Sequence, residues 1–337
     1  MFSDRWIVLA SRSATDDYRP DLLELGVVDG RKVATIDSTF RRAVLFLSAA
    51  AAGLMAVVAL GAAPAATAAT ATAWWSSGPT CGGEAPARPD GSRYRCTFTD
   101  DFNGSSLNTG NWLAADTSFS GFHGGGNCYS DSSRMVRVSW GTLRLTSQQT
   151  RPFTCKSPYG SFTTTYKASS VTSRGRFAQA FGRFEFRARF TNTTATGLHS
   201  ALWLFPAAGS YGGWPNSGEI DVAEWFSRSH PYVFPSVHYK GTALSTMQER
   251  ACQVSNAGTQ YHRYAVEWLP DTMRFYYDGQ LCHEQGWDAD EPLSGSQPFD
   301  KPFNIVMSQA MGQGWNPVDS TTPKTGTLEV DWVRAWS

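Results

Sequence analysis

The sequence predicts an all-β protein built as an antiparallel sandwich or barrel. Short segments alternate apolar and polar residues, and turn signals separate them without a helical period. The composition agrees, because 31 Gly, 13 Trp, 12 Tyr and 20 Phe suit short strands, tight turns and aromatic surfaces. Since no linker or repeat interrupts the chain after Ala73, we expect one domain there.

Individual segments show the strand pattern. Residues 183–190 are charged at odd positions and apolar at even ones, which predicts a half-buried strand. Residues 264–268 alternate in the same way, and residues 328–336 predict a last strand. Asp278-Gly279 separates two further strand-like runs and is a strong hairpin-turn signal.

Residues 40–73 have the features of a secretory signal peptide. Arg41 and Arg42 precede a long small-apolar run that ends in several Ala-x-Ala sites. We expect cleavage near Ala73, although an uncleaved anchor is the alternative because the run is long enough to span a bilayer. Residues 1–39 are predicted to be an upstream extension that is non-native or unstructured. The mature protein should be secreted, extracellular and without stable membrane association.

Six cysteines follow this signal: Cys81, Cys96, Cys128, Cys155, Cys252 and Cys282. None has C-x-x-C spacing, which argues against a zinc site or a redox motif. An even number in an exported chain indicates disulfides, for which fifteen pairings are open. Pairing of sequence neighbours gives three modest loops and is our prediction. Residues 74–96 would then be a disulfide-tied lead-in to the main domain at 97–337.

The charge balance narrows the class of partner. Lys+Arg and Asp+Glu both number 29, so no net charge attracts nucleic acid or an anionic membrane. A neutral, Trp-rich β protein favours a carbohydrate partner, because an indole ring matches the apolar face of a sugar. For any one tryptophan, core packing is the alternative.

The segment 218–226 contains three carboxylates, Glu219, Asp221 and Glu224, on an otherwise apolar strand. Burying an unpaired carboxylate is costly, so three on one strand indicate a function. Glu219 and Asp221 share a face, whereas Glu224 would point away in a regular strand. We therefore predict one β-bulge between Asp221 and Glu224, which returns Glu224 to that face.

Such an arrangement favours a retaining glycosidase. Two Glu side chains leaning inward from one face can bring their carboxyls to about 5–5.5 Å, the separation that a double displacement requires. A solvent-facing or calcium-binding acidic strand is the alternative. Calcium sites usually take oxygens from loops with a Gly turn, and this segment has no such pattern.

The surrounding sequence resembles glycoside hydrolase family 16, in its laminarinase-like, endo-β-1,3-glucanase form. The pattern Glu219-Ile-Asp221-x-x-Glu224 is similar to the bulged active-site strand of that family. Four more segments resemble family strands in the same order: 181–185 (FGRFE), 200–206 (SALWLFP), 264–268 (YAVEW) and 330–334 (VDWVR). The resemblance covers residues 97–337, approximately.

The resemblance implies a fold and a role for each acid. The fold would be a jelly-roll β-sandwich of two curved antiparallel sheets, with an open cleft on the concave face that admits a chain mid-length. Glu219 matches the nucleophile and Glu224 the general acid/base. Asp221 matches the residue between them that orients and tunes the nucleophile.

Five residues are expected to contact substrate: Trp203, Trp214, His238, Gln309 and Trp315. The first two tryptophans, together with Trp225, surround the acids in sequence, and the histidine matches a cleft histidine of the family. Gln309 and Trp315 lie in segment 308–315, whose sequence differs from the one usual in the family at this place. Core packing or a structural hydrogen bond is the alternative for each.

We therefore expect a secreted, retaining endo-glycosidase acting on β-1,3- or mixed β-1,3/1,4-glucan. The alternatives are an endo-galactanase or a transglycosylase on the same fold, and a non-catalytic glucan-binding lectin, against which the three acids argue. No cofactor or catalytic metal is expected. Asp331 matches a residue that binds a structural calcium ion in some relatives, an ordinary exposed acid being the alternative. The expected partner is the polysaccharide, and the protein is expected to be a monomer.

Overall fold

The computed structural model describes residues 78–312 and 315–337, so the predicted extension and signal peptide lie outside the described residues. In the described ranges, no helix is long and apolar enough to cross a membrane. The strands there are β1 (Cys96–Asp100), β2 (Leu113–Ala114), β3 (Cys128–Tyr129), β4 (Val136–Val138), β5 (Leu143–Ser157), β6 (Gly160–Thr172), β7 (Gly182–Arg189), β8 (Leu198–Pro206), β9 (Glu219–Phe226), β10 (Tyr232–His238), β11 (Gly241–Thr242), β12 (Cys252–Gln253), β13 (His262–Trp268), β14 (Met273–Tyr277), β15 (Gln280–Gln285), β16 (Asp288–Ala289), β17 (Phe303–Met311) and β18 (Thr325–Trp336). The helices are α1 (Thr117–Ser120) and α2 (Met247–Arg250), with 3-10 turns at Cys81–Gly83 and Ser227–Ser229.

The strands form two antiparallel layers. The cleft sheet has the order β10-β9-β8-β17-β6, and the outer sheet has the order β5-β18-β7-β13-β14-β15. The long β5–β6 hairpin belongs to both, so the hydrogen-bonded path is continuous. A short pairing of β3 with β6 is parallel. The predicted all-β, antiparallel jelly-roll sandwich is confirmed.

Apolar residues that alternate along the strands fill the space between the sheets. Phe184 on β7, Leu202 on β8 and Ile220 on β9 are completely buried there. Burying each such side chain contributes about 1.5–3 kcal/mol. The half-buried strand predicted at 183–190 is confirmed with one exception: Glu185 is also buried, and Arg183 pairs with it at 2.8 Å.

The turn and disulfide predictions are confirmed as well. Asp278 and Gly279 both have positive φ, 49° and 79°, and join β14 to β15. The bridges are Cys81–Cys96, Cys128–Cys155 and Cys252–Cys282. The last connects β12, beside the cleft sheet, to β15 at the edge of the outer sheet. With sequence separations of 15 to 30, each bridge contributes about 3–4 kcal/mol on the chain-entropy model.

Candidate active site

Strand β9 contains the predicted bulge. Leu202 on β8 pairs with Ala223, and the next residue, Trp203, pairs with Asp221. Val222 is therefore one residue in excess of the partner strand. The pairing of β9 with β10 is irregular at the same place. The bulge prediction is confirmed.

Because of the bulge, three carboxylates line one cavity on the exposed face of the cleft sheet: Glu219, Asp221 and Glu224. Glu219 is 7% exposed and Asp221 2%, so they are deeply placed. Gly218 leads the chain into this strand with φ +85°. A Cβ there would lie 2.6 Å from the ring of Phe299, so both backbone conformation and space require glycine at this position.

Glu219 has one strong hydrogen-bond donor. The indole Nε1–H of Trp214 donates to its Oε2 at 2.7 Å. Burial, the charge of Asp221 and the charge of Glu224 together raise the pKa of Glu219 to about 8. The charge of His238 and the Trp214 hydrogen bond lower this pKa, but by less. The proton is therefore retained on Glu219 near neutral pH in the substrate-free site.

Asp221 is paired with a histidine of β10. Nε2 of His238 lies 3.0 Å from Oδ2 of Asp221. Burial and the charge of Glu224 raise the pKa of Asp221 to about 6. Burial alone would lower the pKa of His238, but Asp221 and the neighbouring glutamates outweigh it and raise this pKa to about 9. His238 is therefore a cation near neutral pH that stays beside the Asp221 carboxylate.

The same residues form a cluster with metal-ligand geometry. One ligand atom each from Glu219, Asp221 and His238 lie within 4.8 Å of one another. Nε2 of His238 already lies 3.0 Å from Oδ2 of Asp221, so the structure describes an acid–histidine pair beside Glu219.

Glu224 contacts a histidine that the sequence analysis missed. Nε2 of His199 lies 3.1 Å from Oε1 of Glu224, and its ring stacks on Phe226 with centroids 4.4 Å apart. Burial alone would raise the pKa of Glu224, but the hydrogen bond and charge of His199, with the charge of His238, outweigh it and lower this pKa. Strand alternation could have found His199, because it shares a face of β8 with Trp203.

The predicted aromatic contacts divide into two groups. Trp203 and Trp214 line the cavity, and Nε1 of Trp203 donates to Oγ of Ser308 at 3.1 Å. His238 holds Asp221 and is 33% exposed. Trp315 does not line the cavity; its ring packs on Phe226 at 4.8 Å. The other cavity walls include Phe122, His123, Tyr129, Arg174, Phe205 and Asn304.

The prediction that Gln309 contacts substrate is wrong. Alternate residues of β17 line the cavity, among them Ser308, so Gln309 points between the two sheets and is completely buried. Its Oε1 accepts a hydrogen bond from Ser200 at 2.6 Å, and its Nε2 donates to Ser147 at 3.1 Å. Both ends of the amide are thus used inside the sandwich.

Asp331, the residue matched to a structural calcium ligand of some relatives, is paired with an arginine. Its Oδ2 accepts from Nη1 of Arg187 at 2.5 Å, so a guanidinium cation is adjacent to the carboxylate. Calcium binds six to eight oxygens, backbone carbonyls among them, and the one group of three His, Cys, Asp or Glu ligands found among the described residues does not include Asp331.

The fold and the site define a β-sandwich protein with three acids on one bulged strand of an open cleft. The family model described as "Glycosyl hydrolases family 16" matches residues 127–334. The chain therefore belongs to glycosyl hydrolases family 16, as its motifs predict.

Individual relatives are similar over part of the chain. The β-glucanase of Rhodothermus marinus is 32% identical over 183 residues, 51% of this chain and 62% of the relative. The keratan-sulfate endo-1,4-β-galactosidase of Sphingobacterium multivorum is 31% identical over 175 residues, 51% of this chain and 40% of the relative. Among solved structures, the endo-β-1,3-glucanase of Pyrococcus furiosus is 26% identical with a TM-score of 0.62, covering 75% of this chain and 98% of that one. The chain thus spans about two fifths to three fifths of the length of these curated relatives.

Proposed function

We propose that this protein is a secreted, retaining endo-glycosidase that hydrolyses β-1,3- or mixed β-1,3/1,4-glucan. The bulge of β9 carries the proposal, because it places Glu219, Asp221 and Glu224 in one cavity of a family 16 fold. The relatives named as glucanases support the choice of β-glucan. The open face of the cleft sheet suits attack in the middle of a chain.

The proposed reaction has two displacements. In the first, the Glu219 carboxylate attacks the anomeric carbon, the glycosidic C–O bond breaks, and Glu224 gives its proton to the departing oxygen. In the second, Glu224 takes a proton from a water molecule, which attacks the same carbon and releases Glu219. Asp221, held by His238, keeps Glu219 in position. These side chains supply all the chemistry, so no cofactor is required.

The proton distribution of the free site is opposite to the one that reacts. In the free site burial keeps the proton on Glu219, whereas His199 keeps Glu224 ionised. Substrate reverses this preference: the glycosidic oxygen accepts a hydrogen bond from protonated Glu224, and positive charge developing at the anomeric carbon favours ionised Glu219. The reactive form is therefore a minor proton tautomer that the transition state selects.

Azide rescue distinguishes this assignment from the reverse one. In Glu219→Ala, azide should replace the nucleophile and give an α-glycosyl azide. In Glu224→Ala, the covalent intermediate on Glu219 still forms from a substrate with a good leaving group, and azide should give a β-glycosyl azide. The opposite pair of products would exchange the two roles.

Four further side chains have proposed supporting roles. Trp203 and Trp214 contact the sugar, because both line the cavity and an indole covers the apolar face of a pyranose. His238 and His199 act through the acids that they touch: the first positions Asp221 and the second positions Glu224.

The direct test is the release of reducing ends from laminarin, lichenan, galactan, agarose and xyloglucan. Glu219→Gln and Glu224→Gln should each lose about 10²–10⁴-fold or more in turnover while remaining folded. Glu284→Gln, an exposed acid of the outer sheet, is the matched control and should keep wild-type activity. If either cleft variant retained more than about a tenth of the wild-type rate, the proposed roles would fail.

The same panel separates the other candidates. Release of reducing ends from galactan and not from glucan would favour the endo-galactanase alternative. The similarity to a keratan-sulfate endo-1,4-β-galactosidase supports that alternative. New, longer oligosaccharides at high substrate concentration would indicate transglycosylation. Binding of glucan without any release would indicate a lectin.

Secretion and domain organisation belong to the same proposal. Residues 40–73 would direct export and be removed near Ala73, leaving the lead-in 74–96 and the catalytic domain 97–337 as an extracellular monomer. The three disulfides are consistent with this location. N-terminal sequencing of the exported protein, with its mass in solution, tests each part.

A further inference from the structure

A tryptophan occupies a strained position at the turn between β4 and β5. Trp140 has φ 62° and Gly141 has φ 69°, and the turn is closed by a 3.0 Å bond from the amide of Ser139 to the carbonyl of Thr142. Two successive positive φ angles define a type I′ turn, whose first position favours Asn, Asp or Gly. A bulky residue with positive φ is an outlier, and such outliers point to function when packing does not explain them.

Packing does not explain Trp140. The residue is 91% exposed, more than any other large hydrophobic residue in the described ranges. Its indole makes no hydrogen bond or ring contact with any residue that the structure describes. An asparagine would fit the turn better and expose no apolar surface, so the fold gains nothing from this tryptophan.

The indole borders a shallow, open groove on the protein surface. Besides Trp140 the groove is lined by Gly104, Ser105, Ser133, Arg137, Val138 and Ser139. Arg137 is exposed, and within the described ranges its guanidinium has no ion-pair or hydrogen-bond partner. None of these residues lines the catalytic cavity.

We infer that this groove is a second carbohydrate-binding surface, and that its ligand is a β-glucan chain. A glucosyl ring stacks on Trp140, while Arg137 and the serine hydroxyls donate to or accept from the sugar hydroxyls. A flat ring with hydrogen-bonding polar groups around it is the chemistry that recognises a pyranose. The inference rests on the proposed function, since the chain bound here is the polysaccharide that the cleft cuts.

The same composition disfavours the other partners of an exposed tryptophan. A protein interface needs a buried apolar centre around its anchor residue, and Val138, the other apolar side chain of the groove, is already buried in the protein. A membrane surface would require several exposed apolar residues and several basic residues together, whereas the groove has one exposed apolar residue, Trp140, and one basic residue, Arg137. An uncharged sugar chain needs neither a buried apolar centre nor a cluster of apolar and basic residues.

Binding at this groove would hold the enzyme on an insoluble or long polymer between cleavage events. The second contact raises the effective concentration of chain near the cleft without changing the chemical step. Loss of Trp140 should therefore affect long or insoluble glucan and leave short soluble oligosaccharides unaffected.

The test uses full-length protein carrying Glu219→Gln, so that binding is measured without hydrolysis. Sedimentation with an insoluble β-1,3-glucan compares this parent with added Trp140→Asn, added Trp140→Tyr and added Leu281→Asn, the last removing an exposed apolar side chain of the outer sheet. We expect Trp140→Asn to bind about five- to tenfold more weakly, Trp140→Tyr to retain most binding, and Leu281→Asn to match the parent. Because asparagine suits the turn, the melting temperature should be unchanged or higher in Trp140→Asn.

A second measurement uses the otherwise wild-type enzyme. Trp140→Asn should keep its kcat/KM on a short soluble oligosaccharide and lose rate on the insoluble polymer. Equal binding by Trp140→Asn and the parent, no binding by the parent, or equal loss in Trp140→Asn and Trp140→Tyr would each overturn the inference. These outcomes are distinct from failure of the proposed function, which would appear as no cleavage of any β-glucan by the unmodified enzyme.

Discussion

The hydroxyl of Tyr277 donates a 3.1 Å hydrogen bond to the backbone carbonyl of Val222. Val222 is the extra residue of the β9 bulge, whereas Tyr277 is a buried residue of β14 in the outer sheet. A bulge leaves backbone groups without a partner in the ladder, and a buried carbonyl needs one. The outer sheet thus supplies, through the core, a hydrogen bond that fixes the strand carrying the three acids.

Tyr277→Phe should therefore lower kcat several-fold while KM changes little. The variant removes only the hydroxyl, so the unfolding free energy should fall by about 1–2 kcal/mol. Tyr264→Phe is a closely matched control: its ring lies 5.0 Å from that of Tyr277, and its buried hydroxyl has no hydrogen-bond partner among the described residues. We expect that control to be fully active and equally or more stable. Equal kinetics for the two variants would mean that the bulge does not depend on Tyr277.

The pH profile of kcat/KM should depend on His199. That profile reports the free enzyme, and its acidic limb reflects Glu224, whose pKa His199 helps to keep low. His199→Phe retains an aromatic ring against Phe226 and removes the imidazole, so burial would raise the pKa of Glu224 and move the acidic limb to higher pH. The alkaline limb, set by Glu219, should stay near pH 8.

His123→Asn is the control for that shift, because His123 lines the same cavity and has no contact with the acids among those the structure describes. It should alter KM without moving either limb. Other charged groups also act electrostatically on this site and are unchanged in both variants: Glu219, Asp221, His238 and Arg250. An acidic limb that stayed in place in His199→Phe would reduce His199 to a packing residue.

Glu219→Gln should be more stable than the wild type above about pH 5. The folded-state pKa of Glu219 is raised from 4.5 to about 8, so the folded protein retains a proton that the unfolded chain releases. The contribution of this carboxyl to the unfolding free energy is therefore most favourable below pH 4.5, and it falls as the pH rises towards 8. Each pKa unit corresponds to about 1.36 kcal/mol, so the gain should reach a few kcal/mol.

Denaturant unfolding at several pH values measures that gain. The difference in unfolding free energy between Glu219→Gln and wild type should grow from pH 4.5 to pH 8 and then level off. Glu284→Gln, on the exposed outer sheet, should show no comparable trend. A difference that was constant with pH would show that Glu219 is ionised in the free site.

The stereochemical course should be retention. With Glu219 as nucleophile and Glu224 as acid and then base, two displacements restore the β configuration. Proton NMR in the first minutes on a β-glucan oligomer should show the β-anomer first, with α arising by mutarotation. An initial α-anomer would mean inversion. Inversion requires a water molecule between one carboxyl and the sugar, and the two carboxyls must then be about 6.5–9.5 Å apart.

The sequence by itself determined the sandwich, the hairpin at Asp278, the neighbour pairing of the cysteines and the bulge of β9. These features are local: alternation, turn chemistry and the spacing of acids on one strand depend on a few neighbouring residues, and the cysteine loops close over separations of 15 to 30. The tertiary structure alone decided which partner each acid meets. His199 and Tyr277 act on β9 from other strands, and Gln309 points into the core because the register of β17, not its motif, sets its face. Register and contacts across sheets depend on which strands become neighbours, and that is a property of the whole fold.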